Sequence, residues 1–303
     1  MNRWPPRRPG HPYLAGSPLL IAHRGGAKLA PENTLAAFRN AVGTWGADML
    51  EMDVRATADG EIVVIHDESV DRTTDGKGLV SDLPWAQLRE LDAGFGFRDL
   101  QGRYSFRGRG EGVPRFQDVL EAFPETRLNV EAKDGGSAAG LVEIILRYGA
   151  QDRVLVAAEW ERNRRMVRGY PGPWGASRRH VAAFLFLAPT PLGLFFTPGC
   201  DALQVPEEQK GIRIVSRRFL ARAHGRNLPV HVWTVDDPDD MRRLLALGVD
   251  GIQTDRPDLL ARVLVEEVGR PRPPGLTGET AGKGGGHAPP SSGLTKPEGD
   301  PPP

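Results

Sequence analysis

The sequence predicts an α/β protein with a (β/α)8 TIM barrel fold, in which parallel strands alternate with helices. Two observations support this fold: short apolar runs alternate with stretches of helical periodicity, and polar residues follow at least four of those runs. Alternating strands and helices are typical of a parallel sheet. A doubly wound open sheet is the competing topology, but it gathers its ligands at one switch point, so polar residues on several strand ends favour the closed barrel.

The barrel is predicted over residues 18–268 of the 303-residue chain. Residues 1–17 are basic and proline-rich, lack the apolar run of a secretory signal, and are expected to be flexible. Residues 269–303 are dominated by Gly, Pro, Ser and Lys. They bury too little apolar surface to offset the entropy of ordering, so a disordered tail is expected. We therefore expect one domain with two tails, located in the cytoplasm.

The charge and cysteine content exclude several kinds of partner and site. The chain has 39 Lys+Arg and 39 Asp+Glu, and this balance provides no basic excess of the kind that binds nucleic acid. Cys200 is the single cysteine of the sequence, which excludes an intramolecular disulfide and a thiolate metal cluster. We therefore expect a small-molecule partner and no nucleic acid, and the sequence does not predict an oligomeric state.

The first predicted strand, residues 18–22, ends at the polar loop 23–26, which reads HRGG. A buried strand that ends in polar residues places them at the edge of the sheet, where function is expected. Residues 31–34, PENT, resemble a helix start, and an apolar face at helical spacing follows them. Strand one is therefore expected to be followed by a helix.

The second predicted strand, residues 49–54, carries Glu51 and Asp53 inside an apolar run. Because side chains alternate along a strand, both carboxylates lie on one face and can share a cation. A third apolar run, residues 61–65, ends at His66. Histidines and carboxylates therefore lie on or directly after strands within one short length of chain, a density that packing alone does not explain.

The remaining elements complete the predicted barrel. Residues 68–114 contain repeated turn signals and are predicted to be an insertion beside the barrel mouth. Further strands are predicted at residues 127–131, 153–158, near Gly175, and at 202–205, 230–235 and 248–254, with helices at 116–123, 138–148, 161–169, 216–225, 238–247 and 257–267. The number of strands can then reach eight, as a closed barrel of this kind requires.

Eight short motifs occur in the order found in a known family. They are HRG at 23–25, PENT at 31–34, ExD at 51–53, HD at 66–67, DRTTDGKG at 71–78, NVEAK at 129–133, HVWTVD at 231–236 and GVDGIQTDRPD at 248–258. Together they resemble the glycerophosphodiester phosphodiesterase family over roughly residues 18–264. The resemblance implies a metal-dependent (β/α) barrel that cleaves glycerophosphodiesters to glycerol phosphate and an alcohol.

The resemblance also implies that Glu51, Asp53 and Glu131 bind one divalent cation. Ligands that offer only oxygen suit Mg²⁺ or Ca²⁺ better than a thiophilic metal, and the sequence does not choose between these two ions. Without the resemblance, Glu131 beside Lys133 is equally consistent with a structural ion pair.

His23 and His66 are the predicted catalytic base and acid, because imidazole titrates near neutral pH. Arg24 keeps its charge and is expected to bind phosphate oxygens through its planar fork. Lys133 follows the last metal ligand by two residues and shares its face if the strand extends that far, which suits it to contact phosphate or substrate hydroxyls. The resemblance places Trp233 at the substrate end.

Four neighbouring residues have more than one interpretation. Asn33 is expected to coordinate the metal through its amide oxygen, to orient Glu51, or to cap the following helix. Glu32 is expected to support the same loop beside the metal ligands. Asp255 is interpreted as the N-cap of the last helix, outside the site, and His231 as a residue that fills the barrel.

Other functions are weighed against hydrolysis of a glycerophosphodiester. A lysophospholipase D would use the same chemistry on a substrate that retains an acyl chain, with a neighbouring hydroxyl attacking first to give a cyclic phosphate. A silent barrel that binds phosphate esters is disfavoured because the acid, base and ligand residues are all present. An amidohydrolase is disfavoured because residues 23–24 lack the His-x-His pair that holds a metal on the first strand.

Residues 181–199 carry no charge and are more apolar than a solvated loop requires. Pro189 and Pro191 in the middle argue against a membrane-spanning helix. One interpretation is a helix and loop packed on the barrel. The other is an apolar wall or a membrane-contacting lip on the catalytic side, which would favour lysophospholipids over water-soluble substrates.

Overall fold

The structure is a computed structural model that describes residues 11–191, 193 and 196–277. The strands are β1 Leu19–Ala22, β2 Met49–Ala56, β3 Ile62–Val64, β4 Arg127–Ala132, β5 Val154–Ala157, β6 Leu203–Pro206, β7 Glu208–Gln209, β8 Ile212–Arg213, β9 Val230–Trp233 and β10 Gly251–Thr254. The α-helices are α1 Leu35–Arg39, α2 Trp85–Leu88, α3 Phe116–Ala122, α4 Gly135–Arg147, α5 Glu161–Met166, α6 Arg178–Leu187, α7 Arg217–His224, α8 Pro238–Leu247, α9 Pro257–Val268 and α10 Pro274–Thr277. A π-helical turn, Asn40–Thr44, extends α1, and 3-10 turns occur at Pro12–Leu14, His23–Gly25 and Val80–Asp82.

A curled parallel sheet forms the barrel wall in the order β5, β4, β2, β1, β10, β9, β6. The gap between β5 and β6 is bridged by residues that form no regular strand. Trp174 pairs in parallel with Val156 of β5, and Gly175 pairs in parallel with Ala202 just before β6. Counting this bridge, the described part of the chain has eight parallel positions, so the (β/α)8 prediction is confirmed, although the strand predicted near Gly175 is reduced to isolated bridge residues.

The alternation of side chains along the strands decides which residues face the barrel interior. In β2, Leu50, Met52 and Val54 pack outward against the helices. Met49 belongs instead to a smaller inner core, with Tyr13, Leu19, Ile21, Leu155, Ala157 and Ala202. Since the period along a strand is two, Glu51 and Asp53 continue the inward face above Met49. His231 of β9 is also buried, as predicted for a residue that fills the barrel.

The short strand β3 is not a wall strand, because it runs antiparallel to β2, with Val54 opposite Val64. The chain therefore turns back toward the carboxylates before it enters the insertion. The insertion packs around a small core of its own that includes Val70, Val80 and Leu88. This agrees with the predicted insertion after the second strand region.

The described parts of the two segments that flank the barrel in the sequence pack on it, where the sequence predicted flexible tails. Residues 11–17 pack at the barrel's amino end, where buried Tyr13 donates a hydrogen bond to the Met49 sulfur at 3.0 Å. The segment 270–277 packs against the π-helical turn that follows α1, and Arg270 forms an ion pair with Asp48 at 2.5 Å. The remainder of the two predicted tails, residues 1–10 and 278–303, lies outside the described residues.

The described residues of the apolar segment 181–199 do not form a loop on the catalytic side. Its first part is in helix α6, which buries Phe184 and exposes Phe186, and its last part leads into the amino end of β6. Arg226, which precedes β9, donates hydrogen bonds to the carbonyls of Phe196 and Gly193 at 3.0 and 2.6 Å. The amino ends of parallel strands all lie at one edge of the barrel, so this loop lies at the edge opposite the carboxyl ends of the strands. Residues 192, 194 and 195 are outside the described residues.

No helix within the described ranges combines the length and the apolar character needed to cross a bilayer. The packing of α6 against α7, where Phe184 meets Phe219 edge to face at 5.4 Å between ring centroids, accounts for part of the apolar character of segment 181–199.

The irregular bridge at Trp174 and Gly175 is held by the fully buried Arg164 of α5. Its guanidinium donates to the carbonyls of Gly175 and Gly199 and lies 4.6 Å from the Trp174 ring centroid. Arg164→Met should lower the free energy of unfolding by about 3 kcal/mol, because buried carbonyls lose charged donors. Denaturant unfolding measures the difference. Arg165→Met, on the exposed face of the same helix, is the control, and equal effects of the two variants would contradict this role.

Candidate active site

Three carboxylates converge on the inward face of the barrel near the carboxyl ends of two neighbouring strands. Glu51 and Asp53 lie on β2, and Glu131 lies on β4 directly opposite Asp53 in the parallel register. Among the described residues, oxygens of these three side chains lie within 4.8 Å of one another. The structure therefore brings together all the metal ligands that the sequence predicted.

Cationic and amide groups surround Asp53. Lys133 Nζ lies 2.9 Å from Asp53 Oδ1 and 2.8 Å from Glu131 Oε2. The backbone amide of Lys133 donates to the Val54 carbonyl, so the pairing of β4 with β2 continues to this residue. Arg24 Nε lies 3.3 Å from Asp53 Oδ2. Burial alone would raise the pKa of Asp53, but Lys133 and Arg24 hold that pKa below its usual value. Asp53 therefore stays ionised in this arrangement.

Asn33 resolves one of the open interpretations. Its side-chain amide donates to Asp53 Oδ2 at 3.1 Å, so it orients Asp53 and not Glu51. The helix cap is the next residue, Thr34, whose hydroxyl accepts a hydrogen bond from the Ala37 amide at 3.2 Å. The interpretation of Asn33 as the cap was therefore wrong.

The other two carboxylates retain protons more readily. Burial, followed by repulsion from Asp53, raises the pKa of Glu51 to about 7. Burial also raises the pKa of Glu131, although Lys133 opposes this shift. Burial thus outweighs the nearby cations at these two carboxylates. This oxygen-only, charge-rich donor set fits a hard divalent cation.

The loop 23–26 brings a backbone donor and a cation to the cluster. Arg24 has φ of 48°, and its amide donates to Glu51 Oε2 at 2.9 Å. At Gly25, with φ of 83°, a Cβ would lie 2.8 Å from side-chain atoms of Ala37 and Phe38, so a side chain has no room there. The glycines of this motif therefore allow the loop to pack tightly on α1 while its polar groups face the carboxylates.

His23 is oriented by a residue that the sequence analysis left outside the site. Its Nδ1 lies 2.7 Å from Asp255 Oδ1, and its Nε2 lies 3.9 Å from Glu51 Oε2. Burial lowers the pKa of His23, but Glu51 and Asp255 outweigh it and raise that pKa above its ordinary value. The interpretation of Asp255 as the cap of α9 was wrong, because Arg256 occupies the cap position.

A signal for Asp255 existed in the predicted fold. A closed barrel places the last strand beside the first, and here Ala22 of β1 is opposite Thr254 of β10. The residues that follow these two positions are His23 and Asp255, so they emerge side by side at the same edge. The motif around Asp255 also resembles a helix start, and that resemblance pointed to a helix cap instead of a partner for His23.

His66 reaches the site on the returning strand of the β2–β3 hairpin. The amide of Ile65 donates to the Asp53 carbonyl at 2.9 Å, which fixes the approach of the next residue. His66 Nδ1 lies 2.7 Å from Asp67 Oδ1, and Arg55 Nε donates to the His66 carbonyl at 2.9 Å. Both predicted histidines are thus paired with an aspartate through Nδ1.

Two further predicted residues lie at the same edge. Glu32 accepts a hydrogen bond from Arg24 Nη1 at 3.0 Å, so it orients the Arg24 guanidinium and does not contact a predicted metal ligand directly. Trp233 ends β9 with 40% of its surface exposed. It occupies an inward position two residues after His231, at the open end of the barrel.

Carboxylates, cations and histidine–aspartate pairs gather at the carboxyl edge of the barrel, which is where barrel enzymes have their active sites. The model of the glycerophosphoryl diester phosphodiesterase family matches residues 23–169 and 196–259. The chain belongs to this family and is an enzyme of the glycerophosphodiester phosphodiesterase class.

Individual relatives agree with this assignment. A glycerophosphodiester phosphodiesterase of Caldanaerobacter subterraneus subsp. tengcongensis is 33% identical over 267 residues, covering 81% of this chain and 97% of the relative. Human lysophospholipase D GDPD1 is 27% identical over 285 residues, covering 79% and 84%. The crystal structure of a glycerophosphodiester phosphodiesterase from Agrobacterium tumefaciens superposes with a TM-score of 0.65 at 27% identity, covering 80% of this chain and 99% of that one.

The raised pKa of Glu51 predicts how metal binding depends on pH. A metal ligand must be deprotonated, so protons compete with the cation below the pKa of about 7. Apparent affinity for Mg²⁺ or Ca²⁺ should therefore rise about tenfold per pH unit up to about pH 7 and then level off. Calorimetric titration of chelator-treated protein measures this. Glu51→Gln should bind metal more weakly and with a shallower pH dependence, whereas a pH-independent wild-type affinity would contradict the assignment.

Proposed function

We propose that the protein hydrolyses a glycerophosphodiester to glycerol phosphate and an alcohol, using one divalent cation, Mg²⁺ or Ca²⁺, and two histidines. The observation that carries the proposal is the pairing of His23 and His66 with aspartates, at 2.7 Å each, beside a buried carboxylate cluster. Family membership supports the reaction class.

Glu51, Asp53 and Glu131 would hold the cation, since they offer oxygen donors within 4.8 Å of one another. Bound there, the cation would neutralise negative charge on the phosphate oxygens. The two ions differ in coordination, because Mg²⁺ requires near-octahedral geometry whereas Ca²⁺ accepts more oxygen ligands. Activity measured with each metal after treatment with chelator therefore distinguishes them.

Both histidines are prepared for proton transfer by their partners. When Nδ1 donates to an aspartate, the ring is fixed in orientation and Nε2 is left for the substrate. One histidine accepts a proton from the attacking water as the new bond to phosphorus forms. The other donates a proton to the alcohol oxygen as the bond from that oxygen to phosphorus breaks, so the alcohol leaves uncharged.

Arg24 and Lys133 would bind the phosphate oxygens. Both cations already contact Asp53, at 3.3 and 2.9 Å, so they lie within reach of a phosphate placed next to the carboxylates. The planar guanidinium of Arg24 suits bidentate contact with a phosphate. Trp233, exposed at the same edge, would offer an aromatic face to the alcohol part of the substrate.

Glycerophosphocholine turnover tests the proposal. The wild type should require a divalent cation and lose activity in EDTA, and each of His23→Ala and His66→Ala should lose about 10²-fold or more in kcat because general acid and base groups contribute 10² to 10⁴. Metal binding should largely survive in both variants.

His224→Ala is the matched control for these variants. His224 also contacts an aspartate, with Nε2 2.7 Å from Asp250 Oδ2, but it ends α7 at the opposite edge of the barrel. Its replacement should leave kcat nearly unchanged. Near wild-type turnover in both His23→Ala and His66→Ala would refute the two-histidine mechanism, and cleavage that EDTA does not affect would remove the metal.

Lysophospholipase D activity is a second candidate, favoured by the similarity to human lysophospholipase D GDPD1. Such an enzyme would act on a substrate that retains an acyl chain. Phosphorus NMR of the products distinguishes the attacking group, because attack by a neighbouring hydroxyl of the substrate gives a cyclic phosphate and attack by water gives a phosphate monoester.

The position of segment 181–199 predicts that it does not select between these substrates. Phe196 lies at the edge opposite the strand ends, so Phe196→Ser should change kcat/KM for lysophosphatidylcholine and glycerophosphocholine by the same factor. Steady-state assays with both substrates measure the ratio. A selective loss with lysophosphatidylcholine would show that this segment contacts the acyl chain; Trp233→Ser, at the open end, is the comparison variant.

A further inference from the structure

Arg72 lies in the insertion, within the DRTT motif at residues 71–74, for which the proposed chemistry gives no role. All three nitrogens of its guanidinium donate hydrogen bonds to two carboxylates. Nη1 and Nη2 donate to Glu32 Oε2 and Oε1 at 2.7 and 2.8 Å, and Nε donates to Asp67 Oδ2 at 2.6 Å. A planar fork that makes parallel bonds of this kind fixes direction as well as distance.

Each of these two carboxylates holds a different group of the active site. Glu32 Oε1 accepts from Arg24 Nη1 at 3.0 Å, and Asp67 Oδ1 lies 2.7 Å from His66 Nδ1. A continuous chain of charged hydrogen bonds therefore runs from Arg24 to His66 with Arg72 at its centre. These two groups come from different segments, the loop after β1 and the loop after β3.

The backbone around Arg72 is itself fixed. The Thr74 hydroxyl and amide both donate to the Val70 carbonyl, at 2.8 and 3.1 Å. Gly96 passes so close that a Cβ there would lie 2.6 Å from the Arg72 carbonyl oxygen. The turn that carries Arg72 is thus internally hydrogen-bonded and packed against the rest of the insertion.

The exposure of Arg72 indicates a positional role rather than a stabilising one. Its side chain is 49% exposed, and ion pairs at such exposure contribute little to stability. Its partners Glu32 and Asp67 are less exposed, at 16% and 30%. The active site would therefore depend on the fixed geometry of this chain of hydrogen bonds and not on its contribution to the free energy of folding.

We propose that Arg72 is a positioning residue that fixes the phosphate-binding Arg24 and the proton-transferring His66 relative to each other. The inference rests on the proposed function of those two residues. It makes the insertion a part of the active site, because the insertion supplies the group that joins the two.

Kinetics of four variants test the contacts to Arg24 and the contacts to His66 separately. Asp67→Asn should lower kcat with little change in KM, and Glu32→Gln should mainly raise KM. Arg72→Gln should do both, with a loss in kcat/KM of about 10-fold to 100-fold, comparable with the effect of outer groups that orient catalytic residues. Arg72→Lys keeps the charge without the fork and should recover part of the activity.

The matched control is Arg103→Gln, in the same insertion. Arg103 is 72% exposed and donates through Nε to Asp99 at 2.9 Å, with its partner outside the chain of contacts to Arg24 and His66. Its replacement should leave kcat and KM within twofold of the wild type. Thermal unfolding of both arginine variants should stay close to the wild type, which separates positioning from loss of fold.

A double variant completes the test. If Arg72 acts on proton transfer through His66, then adding Arg72→Gln to His66→Ala should lower kcat by much less than it does in the wild type. An undiminished loss, or wild-type kinetics of Arg72→Gln while His66→Ala is inactive, would overturn the inference. Failure of the proposed function looks different, since then wild-type turnover would be absent or would survive His66→Ala.

Discussion

Confinement of three carboxylates inside the barrel is the constraint on which the rest of the site depends. Glu51, Asp53 and Glu131 lie within 4.8 Å of one another in a largely buried position, where like charges repel strongly. Lys133 and Arg24 offset this repulsion at Asp53, whereas burial, with a smaller contribution from the charge of Asp53, raises the pKa of Glu51 and of Glu131. A divalent cation is the group whose charge would complete the balance.

The sequence predicted the pair Glu51 and Asp53 because its geometry is local, whereas Glu131 was assigned to the cluster through the family resemblance. Alternation along β2 places Glu51 and Asp53 on one face, and the parallel register sets Glu131 beside Asp53. The barrel was predictable for a similar reason, since each strand and helix pair leaves its own periodic pattern. Even the irregular bridge at Gly175 left a weak signal, although the buried Arg164 that holds it did not.

Contacts between distant segments were harder to predict. Asp255 is 232 residues from His23, and the motif that contains it also resembles a helix start, so the local pattern suggested a cap. The sequence left two positions open for segment 181–199, because apolar character does not report which edge of the barrel a loop occupies. Tyr13 was missed because the proline-rich stretch around it gives no periodic pattern, yet its ring fills the inner core.

The pairing of β1 with β10 has a consequence for when the site exists. His23 and Asp255 emerge from the first and the last strands of the wall, and they meet only when these strands are hydrogen-bonded to each other. An open or partly synthesised barrel can already hold Glu51, Asp53 and Glu131, because β2 and β4 are neighbours early in the chain. The carboxylate cluster can therefore precede closure, whereas an oriented His23 cannot, so the proposed two-histidine chemistry would require the completed ring.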